Sequence, residues 1–70
     1  MRENLRNARK AANMTQQQVA DKLGLGLRYY KYIEAGYRIG NIWIWDELED
    51  LLGVNQRVLR EIHPDTEDSQ

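Results

Sequence analysis

Between Gly26 and Asn41 the chain interleaves cations with tyrosines: Arg28, Lys31 and Arg38 alternate with Tyr29, Tyr30, Tyr32 and Tyr37. Guanidinium and ammonium groups pair with anions, and an arginine can bridge O6 and N7 of a guanine, which makes Arg28 the foremost candidate for reading a base. Interleaved aromatics and cations also suit stacking on single-stranded nucleic acid, but that needs an open platform rather than one helix face. The acids Asp46, Glu47, Glu49 and Asp50 have no histidine or glycine-rich ion loop beside them. They read as a solvated face that repels polyanions, not as a metal or catalytic site. There is no cysteine and a single histidine, His63, at the expected end of the last helix. Nothing pairs a nucleophile with a base, so no enzyme, metal or cofactor is expected, and no small-molecule substrate.

The elements that must position these groups are few. Seventy residues are one small domain, well under the roughly 100–200 residues usual per domain. The formal net charge of −1 hides an asymmetry. Residues 1–40 carry eight Lys and Arg against three acids, net +5, whereas residues 41–70 carry two against eight, net −6. A chain divided this way offers a basic face to a polyanion while its far side stays acidic. The first thirteen residues hold no apolar run of signal-peptide length, and the mean hydropathy is −0.78. Both predict a cytoplasmic protein with no membrane contact.

Helix signals divide the chain into five short segments. Leu5, Ala8 and Ala12 recur at helical spacing in the first. Thr15 with Gln18 forms a capping box, and Gln16 to Leu23 comes next, with Val19, Ala20 and Leu23 on one apolar face and Gly24 as its stop. Leu27 to Ala35 is a third helix between Gly26 and Gly36. Its outward set is Leu27, Arg28, Lys31 and Tyr32, and its inward set is Tyr29 or Tyr30 with Ile33. Asn41 caps Ile42 to Leu52, although Ile42-Trp43-Ile44-Trp45 is β-prone by local preference. Asn55 caps a last helix with Val58, Leu59 and Ile62 apolar, and Pro64 discourages its continuation. Residues 1–63 are expected to form the domain and residues 64–70 a disordered acidic tail.

Two helices joined by a tight glycine turn, with small Ala20 where they approach, have the pattern of a helix-turn-helix. The chain resembles the phage-repressor and Cro-like family of that motif. The likeness rests on Arg9, Thr15-Gln16, Ala20, Gly24, Ile33-Glu34-Ala35-Gly36 and Leu52-Gly53-Val54, and runs from about Asn4 to Leu59. It implies an all-α, compact, five-helix lambda-repressor-like domain that binds double-stranded DNA as a small transcriptional regulator, bacterial or phage-encoded and nucleoid-associated.

Residue by residue, the resemblance implies that Gln16, with Gln17 beside it, binds a phosphate. Gly26, Leu27, Arg28 and Tyr32 match positions facing base edges, and Tyr29 and Lys31 serve phosphate or base. Tyr37, Arg38 and Asn41 match a loop that grips the backbone, and Arg9 and Glu34 match a partly buried ion pair. The sequence departs from the family pattern at Gly26, often Ser or Thr, at Gly40, often Pro, and at Tyr30, often aliphatic. Leu27 offers only apolar contact, for instance to a thymine methyl.

The family usually dimerises, so two half-sites about one helical turn apart are implied. Val54, Val58, Leu59 and Ile62 are expected to make the self-contact. Trp43 shares a helical face with Glu47 and Asp50, which predicts a partly exposed ring beside a buried Trp45. Such a ring anchors a dimer or partner contact, or packs on the preceding loop. The rival reading is a protein-interaction module, antitoxin-like or anti-repressor-like, that keeps the fold without specific DNA binding.

Overall fold

The computed structural model describes residues 1–63, in which five helices succeed one another: α1 (Glu3–Ala11), α2 (Gln16–Leu23), α3 (Leu27–Ala35), α4 (Ile42–Leu52) and α5 (Gln56–Leu59). Pro64 and the acidic tail expected after it lie outside the described residues. The core gathers Leu5, Val19, Ala20, Leu23, Tyr30, Ile33, Ile44, Trp45, Leu48 and Leu59 from all five helices. Burying each large side chain contributes about 1.5–3 kcal/mol, so no element is dispensable in a domain this small.

Local chemistry explains most boundaries. Thr15 Oγ1 accepts from Gln18 N at 3.1 Å while Thr15 N donates to Gln18 Oε1 at 2.8 Å, a reciprocal box that starts α2. Gly24 takes the left-handed conformation at φ 71°, and Leu25 N turns back to Ala20 O at 2.9 Å. That tight reversal fixes α3 against α2. Asn41 Oδ1 accepts from Ile44 N at 3.1 Å, and α4 is helical from Ile42 onward. The cap, with Ile44 and Trp45 buried on one side, overrides the β preference of the run. Asn55 caps α5, which ends at Leu59 after four residues, so Ile62 lies beyond it.

Gly40 explains one departure from the family pattern. Its φ of +70° excludes proline, and a Cβ there would stand 3.4 Å from the Cδ1 atoms of both Ile33 and Ile44. The loop thereby folds close over the core, and Trp45 Nε1 ties it down by donating to Ile39 O at 2.7 Å.

α1 has no side-chain cap, and its start is set by Arg2 instead. The Arg2 side chain is buried. Its Nη1 donates to Ile33 O at 2.6 Å and Arg38 O at 2.9 Å, and its Nε donates to Arg60 O at 3.1 Å. The guanidinium also lies 5.1 Å from the Trp45 ring centroid. Burial, and then the charge of Arg60, lowers its pKa. One cation thus joins the start of the chain, the end of α3, the loop after it and the segment after α5. Placed by the last turn of α3, it also meets the negative end of that helix.

Candidate nucleic-acid interface

The helix-turn-helix stands on a buried carboxylate. Glu34 accepts from Arg9 Nε at 2.8 Å, Arg9 Nη2 at 3.1 Å, Tyr30 Oη at 2.8 Å and Gln16 Nε2 at 3.0 Å. Arg9 also donates to Met14 O at 2.9 Å, so the ion pair clamps α1 and the entry to α2 onto α3. Every lone pair on the carboxylate has a donor, the condition under which burying such a pair is tolerated. The hydrogen bond to Glu34 is the main reason the Arg9 pKa is raised. Tyr30 stands where the family often has an aliphatic residue because its hydroxyl completes this set. Burial first, and then the charge of Glu34, pushes the Tyr30 phenol far above the ordinary tyrosine range.

This network resolves the inward set of α3 as Tyr30 and Ile33 with Glu34, all buried, and leaves Tyr29 on the surface. It also engages Gln16 more than the sequence predicts. One amide hydrogen is held by Glu34 and the side chain is half-buried, with Gln17 exposed beside it bonding Asp21 at 2.9 Å.

The opposite face of α3 is open. Arg28, Lys31 and Tyr32 are exposed, Leu27 is half-exposed, and the four together line a shallow groove. Among the described residues none of these four is in a salt bridge, and no acid stands in the first turn of α2 or α3. A second shallow cleft, between α3 and the next loop, is lined by Tyr29, Tyr37, Arg38, Ile39, Gly40 and Asn41. Tyr32 and Tyr37 bridge the two edges, ring centroids 6.1 Å apart and inclined at 62°. The backbone carbonyl of Tyr32 accepts from both Tyr37 N and Arg38 N, which fixes the loop to the end of the helix. Gly26, exposed at the start of α3, has open space where a Cβ would project.

The expected self-contact surface needs correction. Leu59 is wholly buried in the core, and Val54 is half-buried against it, so α5 and its flank present only Val58 and Ile62. In a four-residue helix the apolar spacing does not tell which side chain turns inward. Trp43 is half-exposed and Trp45 buried. The residue that sequence reasoning missed is Arg2. A cation whose partners are distant carbonyls leaves no trace in spacing or charge pairing.

Helices α2 and α3, crossing over a glycine turn with the exposed Arg28 and Lys31 on the outer face of α3, define a helix-turn-helix domain of the DNA-binding kind. A helix-turn-helix family model matches residues 5–55, from α1 to the cap of α5, and the chain belongs to the phage-repressor and Cro-like helix-turn-helix family. No curated protein and no solved structure matches it. Among the described residues no cluster of His, Cys, Asp and Glu suits a metal ion, and no helix is long and apolar enough to cross a membrane.

Proposed function

We propose that the protein is a sequence-specific double-stranded DNA-binding regulator that acts as a homodimer. α3 lies in the major groove, which at roughly 12 Å wide admits a helix. The observation that carries this reading is the outward face of α3: Leu27, Arg28, Lys31 and Tyr32 project from a helix whose other face is bonded rigidly to α1 and α2. Arg28 is the base reader, with Leu27 and Tyr32 on apolar base surfaces and Tyr29 and Lys31 on bases or the adjoining phosphates. Gln16 keeps its second amide hydrogen for a phosphate and, with Gln17, stands at the positive end of α2. Tyr37, Arg38 and Asn41 grip the backbone on the other side of the groove, and Gly26 lets the duplex approach the start of α3.

Fluorescence-anisotropy titration of labelled DNA fragments at several salt concentrations tests the proposal. Tight binding to one fragment, with affinity falling steeply as salt rises, is the expected result. Arg28→Ala with Lys31→Ala abolishes that binding and leaves stability within about 0.5 kcal/mol, because both side chains are exposed. Intact binding in the double variant removes α3 from the groove. The rival reading, a protein-interaction module, draws on the exposed Trp43 and the acidic face of α4. Failure to bind any fragment even at low salt would favour it.

A further inference from the structure

Arg2 is 3% exposed, and no carboxylate stands beside its guanidinium: among the described residues the salt bridges are Arg9–Glu34 and His63–Glu61. A cation buried without a counter-charge is a poor way to fill a core, and an apolar side chain of similar length would fill that space with less desolvation. What arginine alone supplies is a planar fork of donors. Two of its three acceptors, Ile33 O and Arg38 O, lie on either side of the turn at Gly36, so the fork ties the end of α3 to the loop that follows. Arg38 is thereby held at both ends of its main chain. Its N–H donates to Tyr32 O at 3.2 Å, and its carbonyl accepts from Arg2 Nη1 at 2.9 Å. The next carbonyl, Ile39 O, accepts from Trp45 Nε1, on whose ring the Arg2 guanidinium lies. Arg2 N in turn donates to Glu34 O at 2.9 Å, which fixes this clamp to α3. The Arg38 side chain leaves the clamped main chain for solvent, on the cleft it lines with Tyr37 and Asn41.

We infer that Arg2 is a positioning residue for the loop after α3: from inside the fold it holds the main chain of Arg38 in place, so that the Arg38 guanidinium is presented outward to a phosphate from a fixed point. Arg2 touches no DNA. It acts by removing motion from the loop before the duplex arrives, which leaves less ordering to be done on binding. The inference deepens the regulator reading and rests on it only for the phosphate; the hold on the loop exists without DNA.

Amide hydrogen exchange in the DNA-free chain is the first readout. In Arg2→Met the amides of Tyr37 and Arg38, both bonded to Tyr32 O, exchange at least about tenfold faster relative to those of α2, because the loop opens while the helices stay closed. Arg2→Lys keeps the cation but not the fork; it gives the same pattern more weakly and serves if Arg2→Met does not fold. Leu51→Ala trims the core at the far end of α4 and speeds the α2 amides at least as much as those of the loop. The second readout is the salt dependence of DNA binding. Arg2→Met weakens binding and flattens the slope of log affinity against log salt by about one, as Arg38→Ala does, and the two substitutions together flatten it no further. A loss of about two in the combined variant would mean that Arg2 meets a phosphate itself, and overturns the proposal. So do loop amides that keep pace with those of α2 in Arg2→Met, the loop pattern recurring in Leu51→Ala, or an unchanged slope in Arg2→Met. If no DNA fragment binds the wild-type chain while the loop amides respond as expected, the regulator reading falls and the hold of Arg2 on Arg38 stands.

Discussion

The two faces of α3 hold the same chemical types in opposite states. Inward, a tyrosine and a carboxylate are buried, and with Arg9 from α1 each polar atom there has a partner. Outward, an arginine, a lysine and a tyrosine stand in solvent within one groove. The inner face uses charge to hold three helices in one arrangement, and the outer face leaves charge free for a polyanion. A helix presented to DNA must be rigid before it can discriminate, because ordering it on binding would weaken the contact. The difference also corrects the charge reading. Arg2 and Arg9, two of the eight cations in the basic half, are turned into the fold and add little to the basic surface.

The largest loss is expected at Glu34. Glu34→Ala leaves the Arg9 guanidinium buried without its counter-charge and removes the acceptor for Tyr30 and Gln16. Losing one partner of a buried pair costs about 3–5 kcal/mol, a large share of the stability of a domain this size. Urea denaturation monitored by circular dichroism reads it directly. By contrast, the double substitution at Arg28 and Lys31 leaves that transition in place. A Glu34→Ala cost below about 1 kcal/mol would mean that water enters and solvates Arg9, and that the inner face is not a rigid support for the outer one.

Tyr30 carries a smaller effect with its own pH signature. Tyr30→Phe removes the hydrogen bond to Glu34 Oε2 and costs about 1–2 kcal/mol at neutral pH, the range for a bond to a charged acceptor. The phenol's folded pKa lies far above its ordinary value of 10.0, so the folded state holds the proton more tightly than the unfolded chain. The stability this gives is fully present below pH 10 and is lost above it, by about 1.4 kcal/mol per pH unit from this one group. Denaturation midpoints between pH 9 and pH 11 should therefore fall more steeply in the wild-type chain than in Tyr30→Phe. Parallel slopes would show that Tyr30 ionises without hindrance and is not locked to Glu34.

Much of the frame was legible in the residues. Thr15 with Gln18, Asn41 and Asn55 announce helix starts by side-chain oxygens, and Gly24, Gly36 and Gly53 announce ends by conformations other residues avoid. These signals act within four residues, so the sequence alone carries them. The interactions that stayed hidden act across the chain. Arg2 donates to carbonyls at Ile33, Arg38 and Arg60, and backbone carbonyls have no signature in a sequence. The inward turn of Leu59 is likewise fixed by packing against α1 and α4, and Val58 beside it is equally apolar yet exposed. The spacing of Tyr30 and Glu34, one turn apart on the same side, is local, but that this side turns inward is set by Arg9 of α1, twenty-five residues before Glu34.

Gly26 stands at the seam between the two faces and carries the smallest expected effect. Its backbone, φ −68° and ψ 148°, is open to any residue, and no atom lies within 4 Å of a Cβ built there. Glycine at that cap satisfies none of the free N–H groups of the first turn of α3. Gly26→Ser supplies an oxygen for the N–H of Arg28 or Tyr29 and restricts the unfolded chain, for a combined gain of about 0.5–1 kcal/mol. Thermal denaturation should register an increase of a few degrees. The informative measurement is DNA affinity in the same variant. Affinity equal to the wild type would make the glycine a missing cap and nothing more. A drop of tenfold or more, in a protein that has become more stable, would show that the duplex itself fills the space where the side chain would be. The seam would then belong to the outer face, and Gly26 would be retained at a cost to stability because the backbone of α3 must come that close to the groove.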